Sequence, residues 1–104
     1  MENKERYLKL TENFFDTKEL KIIESMPNGF QYSNLLIKLY LLAIRDNFIL
    51  QLDDNTPYTT DMIASITRCP VDVVNEALKV FEELGLIGYS TGGAICLKAK
   101  NIIG

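Results

Sequence analysis

Asp53, Asp54 and Asp61 stand close together in the chain, and three carboxylates so placed could hold a divalent cation. Their loop lacks the spaced oxygen donors, the glycine and the closing glutamate of an EF-hand. A solvated turn running into a helix N-terminus accounts for the same residues. The chain has two cysteines, Cys69 and Cys96, and no histidine. A thiol nucleophile needs a base to activate it, and two cysteines alone cannot complete a structural zinc site. Cys69 therefore reads as a small apolar residue packed in a turn, and Cys96, between Ile95 and Leu97, as a thiol pointing away from the core. Thr91-Gly92-Gly93 is glycine-rich, but no Gly-Lys-Ser/Thr follows and its flanks read as strands, so it is a hairpin turn and not a phosphate loop. Glu82 and Glu83 are adjacent on a helix and do not face each other, which makes them a poor acid/base dyad. No constellation supports an enzyme, and no metal or cofactor is expected.

Binding is a different matter. Arg68, Lys79, Lys98 and Lys100 are placed to neutralise phosphate, and the Asn75 amide is the group best suited to a base edge, since it can meet adenine bidentately. Charge works against strong binding. Eleven Lys and Arg stand against fourteen Asp and Glu, a net charge of −3. From Thr59 to the end, the same four cations face Asp61, Asp72, Glu76, Glu82 and Glu83. A domain held to nucleic acid by phosphate contacts is normally basic, so DNA binding here should be weak and salt-sensitive.

The elements that carry these residues follow from periodicity. Thr59–Ile66 is a short amphipathic helix with Thr59 or Thr60 as its N-cap and Met62, Ile63 and Ile66 facing inward. The turn Thr67-Arg68-Cys69-Pro70 leads into a second helix over Val71–Leu84. There Val71, Val74, Leu78 and Phe81 recur at spacings of three and four, and Gly85 stops the helix. Two short β-like runs, Leu86–Tyr89 and Ala94–Lys98, flank the Gly-Gly turn. Two helices joined by a tight turn and followed by a hairpin are the order of a winged helix-turn-helix.

Upstream, Tyr7–Leu10 alternates enough for a short strand, and Asn13–Asp16 is an aromatic turn that should plug into the core. Asp16 or Thr17 can cap a helix over Lys18–Met26, ended by Pro27-Asn28-Gly29. The helix from about Tyr32 to Arg45 is apolar nearly all round, so it is either the central helix or part of a subunit contact. Tyr32, Tyr40 and Ile44 are its candidate interface residues, because aromatics are enriched at interface centres. Phe48–Leu52 reads as a strand that pairs either with Tyr7–Leu10 or with the hairpin. The predicted fold is α+β, a winged helix with an added N-terminal strand and helices. Its expected core is Leu8, Phe14, Leu20, Ile23, Leu36, Leu39, Ile63, Ile66, Val74, Leu78, Phe81, Leu84 and Ile87.

At 104 residues, 47% hydrophobic and 24% charged, the chain is a single globular domain. Met1–Leu10 carries no apolar signal core and no apolar run is long enough to span a bilayer, which points to a reduced, cytoplasmic protein.

Three blocks resemble the N-terminal domain of phage replisome organisers, which are similar in function to the DnaD-type primosome proteins. They are Tyr7-Leu8-Lys9-Leu10-Thr11-Glu12-Asn13-Phe14-Phe15-Asp16, Leu36-Ile37-Lys38-Leu39-Tyr40-Leu41-Leu42-Ala43, and Ala77-Leu78 through Phe81-Glu82-Glu83-Leu84-Gly85-Leu86-Ile87. The first is the most specific, and the last is shared by many winged helices. The resemblance implies a domain of a replication initiation protein that marks or opens a phage origin and recruits a helicase or helicase loader. Those partners would be met through a further C-terminal region, making residues 1–104 the N-terminal part of a longer protein. The competing expectation is a self-association module, a homodimer with little DNA binding of its own.

Overall fold

The structure, a computed structural model, describes residues 6–53 and 56–98. After a 3-10 turn at Phe14–Asp16 come helices α1 (Lys18–Glu24) and α2 (Gly29–Ala43), a second 3-10 turn at Ile44–Asp46, and strands β1 (Ile49–Asp53) and β2 (Thr56–Pro57). Helices α3 (Thr60–Thr67) and α4 (Val71–Glu83) and strands β3 (Ile87–Tyr89) and β4 (Ile95–Leu97) follow. The fold is α+β: helices pack on an antiparallel sheet with strand order β2-β1-β4-β3.

Local chemistry sets the helix ends. The Leu20 N–H donates to Thr17 Oγ1 (3.4 Å) and the Met62 N–H to Thr59 Oγ1 (3.1 Å), so each threonine satisfies an orphan donor of a first turn. Gly85 takes φ +75 after α4, and the Leu86 N–H closes back on the Phe81 carbonyl (2.8 Å), a glycine-dependent helix stop. Gly29 opens α2, three residues before the predicted start. A Cβ there would lie 2.5 Å from the Ile23 carbonyl oxygen and 2.7 Å from Glu24 Cα, so only glycine lets α2 turn so tightly out of α1.

The apolar helix proves to be the central one. α2 packs against α1, α3, α4, β1 and β4, which explains why Leu35, Leu36, Leu39, Tyr40 and Ala43 are all buried although they cover more than one face. Tyr32 and Tyr40, expected at a subunit contact, are 8% and 0% exposed and belong to the chain's own core. The Tyr40 hydroxyl donates to the Lys98 carbonyl (3.0 Å), and its ring meets Phe48 edge-on, centroids 6.0 Å apart. Ile44, the third expected contact, is half-buried in the 3-10 turn after α2.

Other expectations are also corrected. Tyr7–Leu10 forms no strand; Leu10 alone makes an isolated bridge, while Leu8 rests half-buried on the core. Of the two pairings expected for the 48–52 strand, the structure has the one with the hairpin: β1 pairs with β4 (Ile49↔Cys96, Leu50↔Ile95) and buries Leu50. A short hairpin partner, β2, follows where a loop was expected (Gln51↔Pro57, Asp53↔Thr56). Asp54 lies outside the described residues. Ile66 is 50% exposed, because α3 turns Ile63 and Thr67 inward instead. The buried Thr67 hydroxyl is satisfied by donating to the Ile63 carbonyl (2.7 Å). Leu84 is only half-buried. The rest of the expected core is buried as predicted.

Candidate nucleic-acid interface

The turn between α3 and α4 is built on a strained residue. Arg68 caps α3 in the left-handed region (φ 59, ψ 42), and the following Cys69 N–H donates back to the Ala64 carbonyl (3.1 Å). Glycine is the usual residue at such a cap, because a side chain there costs about 1–2 kcal/mol. Here the position carries an exposed guanidinium.

Beyond the turn, α4 buries Val74, Ala77, Leu78 and Phe81 and leaves Asp72, Asn75, Glu76, Lys79, Glu82 and Glu83 exposed. Asn75 and Lys79 share a shallow cleft with Asn28, Tyr32, Asp72, Val73 and Glu76, so the start of α2 flanks the outer face of α4. Lys79 lies 3.6 Å from Glu76, an exposed i,i+3 pair that solvent screens. That face therefore presents one cation, already beside a carboxylate, among four acidic side chains.

The β3–β4 hairpin continues from α4 with register Ile87↔Leu97, Gly88↔Cys96 and Tyr89↔Ile95. Its tip is held by the Ser90 N–H donating to the Ala94 carbonyl (2.8 Å), with Gly93 at φ +88. Cys96 points away from the face that buries Ile95 and Leu97, as expected, and is half-buried. Lys98 is exposed but fixed at its backbone. Its N–H donates to the Leu86 carbonyl (2.8 Å), and its side chain lies over Gly88, where a Cβ would come within 3.1 Å of its Cε. Lys100 lies outside the described residues.

Arg68, Asn75, Lys79 and Lys98 thus sit on one continuous run of chain, the turn, α4 and the hairpin. Lys38, which the chain order does not group with these residues, approaches the turn from α2. It is the one cation within the apolar α2, and its ammonium donates to the Thr67 carbonyl (3.0 Å) at the C-terminal end of α3, where the helix dipole favours positive charge. A lone lysine in an otherwise apolar helix was the available signal. With Gln31, Asn34, Arg68, Cys69 and Pro70 it lines a cleft of about 100 Å³ behind the turn. Burial pushes the Cys69 thiol above its ordinary value, opposed by Lys38 and reinforced by Asp72, which disfavours the thiolate.

Among the described residues no helix is long and apolar enough to cross a membrane, and no three potential metal ligands come together. No curated protein and no solved structure matches the chain. The N-terminal phage replisome organiser family matches residues 7–102, nearly the full length and including all three blocks that carry the resemblance. The chain belongs to that family, and its role lies in phage DNA replication.

Proposed function

We propose that this is a winged-helix domain of a replication initiator, non-catalytic, which holds duplex DNA weakly through the edge formed by the α3–α4 turn, α4 and the β3–β4 hairpin. Supporting the winged-helix reading is the chain order of helix α2, strand β1, helices α3 and α4, then hairpin, with β1 lying beside β4. Arg68 is the observation that carries the DNA reading. A non-glycine residue in a left-handed cap is a cost that a functional side chain would explain, and this one extends a guanidinium at the corner where α4 begins.

In this reading Arg68 and Lys98 grip phosphates on either side of α4, and Lys100 supplies a further phosphate contact. Lys79 adds a third charge once Glu76 releases it, and Asn75 is the single base reader. The acidic remainder of α4 keeps affinity low. The partners are origin DNA and other replication proteins, such as a helicase or its loader. Against the self-association alternative stands the burial of Tyr32 and Tyr40 in the chain's own core.

Anisotropy titration of a labelled duplex at low and moderate salt tests this. About four phosphate contacts predict a slope of log K against log salt of roughly −3 to −4. Arg68→Glu and Lys98→Glu should each weaken binding at least tenfold. Asn75→Ala should lower discrimination between sequences more than affinity. An absence of binding at low salt, or indifference to both charge reversals, would leave the domain without this role.

A further inference from the structure

On the α2–α3 side of the turn lies an open groove of about 360 Å³, lined by Lys38, Leu41, Leu42, Ile66, Thr67 and Arg68. Leu41 and Ile66 are 49% and 50% exposed and come from different helices. A single exposed aliphatic residue is ordinary on a protein surface, but two facing one trough form a patch that water covers poorly. Ile66 is there because α3 places Thr67, not Ile66, against the core.

Charge selects the occupant. Lys38 and Arg68 line the groove, no carboxylate does, and neither cation pairs with a carboxylate among the described residues, although the protein as a whole is acidic. The Lys38 ammonium is held in place by the Thr67 carbonyl and keeps further protons free to donate. An apolar floor bordered by two cations asks for aliphatic side chains flanked by carboxylates, which an amphipathic helix with apolar residues at i, i+3 and i+4 supplies. We propose that this groove docks an acidic amphipathic helix of another protein.

Two rival occupants fit less well. A second copy offers the acidic face of α4, but among the large hydrophobics of that helix only Val71 is exposed, too small to fill the trough. A nucleic-acid strand supplies negative charge yet would leave Leu41, Leu42 and Ile66 largely without apolar partners. The proposal does not depend on DNA binding, since its apolar determinants lie off the proposed DNA edge.

The test is an NMR titration of the isotope-labelled full chain with a synthetic 16-residue helical peptide bearing leucines on one face and glutamates on its flanks. Saturable shifts should centre on Leu41, Leu42, Ile66 and Lys38. Leu41→Ser and Ile66→Ser should each weaken binding at least tenfold and leave duplex affinity unchanged, which separates this site from the DNA edge. Replacing the peptide glutamates by lysines should abolish binding. Arg68→Glu, at an exposed position outside the core, should weaken it three- to tenfold even if a serine variant proves unstable. No saturable binding at millimolar peptide, equal binding of the lysine peptide, or shifts confined elsewhere would overturn the proposal. So would concentration-dependent shifts of the groove residues without peptide, which would make a second copy the occupant. Groove shifts produced by duplex DNA and not by the peptide would make nucleic acid the occupant.

Discussion

At Arg68 the backbone and the side chain pull in opposite directions. The left-handed cap suits glycine, while the guanidinium suits phosphate. Arg68→Gly should therefore raise stability by about 0.5–1 kcal/mol, the relieved strain being partly offset by a more flexible unfolded chain, and should lower DNA affinity. Urea unfolding and anisotropy on the same variant read both effects, and a loss of stability would contradict the strain assignment. Tyr40 gives a pH signature. Burial holds its phenol well above the ordinary value while its hydroxyl donates to the Lys98 carbonyl. An unfolded tyrosine releases its proton near pH 10. Above that pH the unfolded chain binds fewer protons than the folded one, so stability is level up to about pH 9 and falls beyond about pH 10. Burial raises Cys69 and Tyr89 as well, the latter helped by Glu82, and both act in the same direction. The fall in urea midpoint between pH 8 and pH 10.5 should be smaller in Tyr40→Phe. That variant should also lose about 1 kcal/mol at neutral pH, because the Lys98 carbonyl loses its donor.

Among the elements, α4 was the most legible in sequence, because its apolar stripe is regular and Gly85 ends it. Phe81 is wholly buried on that stripe, and Phe81→Ala should lower stability by about 3–5 kcal/mol, seen as a large drop in melting temperature. Gly29 makes the junction of α1 and α2. Gly29→Ala should cost about 1–3 kcal/mol by urea unfolding, since the added carbon meets backbone and not a flexible side chain. What could not be read was how elements face one another. Apolar residues all round α2 are equally consistent with a central helix and with a subunit contact, and the packing of α1 and the sheet around it is not written in the pattern of one helix. The rotation of α3 was equally hidden, because Ile66 and Thr67 are neighbours and the hydroxyl of the buried one is satisfied only by the helix itself. Two residues of β2 carry too little pattern to register as a strand.

For the molecule as a whole, the candidate site was legible as residues and not as a surface. Arg68, Asn75, Lys79 and Lys98 follow from the turn-and-hairpin order, but Lys38 does not, since its contact with Thr67 spans 29 positions along the chain. A net charge of −3 works against association with a polyanion, so the duplex affinity of the domain should be low. In the proposed binding mode DNA meets the run from the α3–α4 turn through α4 to the hairpin. The most direct measurement is an amide NMR titration of the full chain with duplex DNA at low salt. The expected result is a contiguous set of shifts at Arg68, Cys69, Asp72, Asn75, Lys79 and Ser90–Lys98 that fades as salt is raised, with Phe15, Lys18 and Phe30 unmoved. Shifts confined to α1 and the start of α2, or none at any salt, would contradict it.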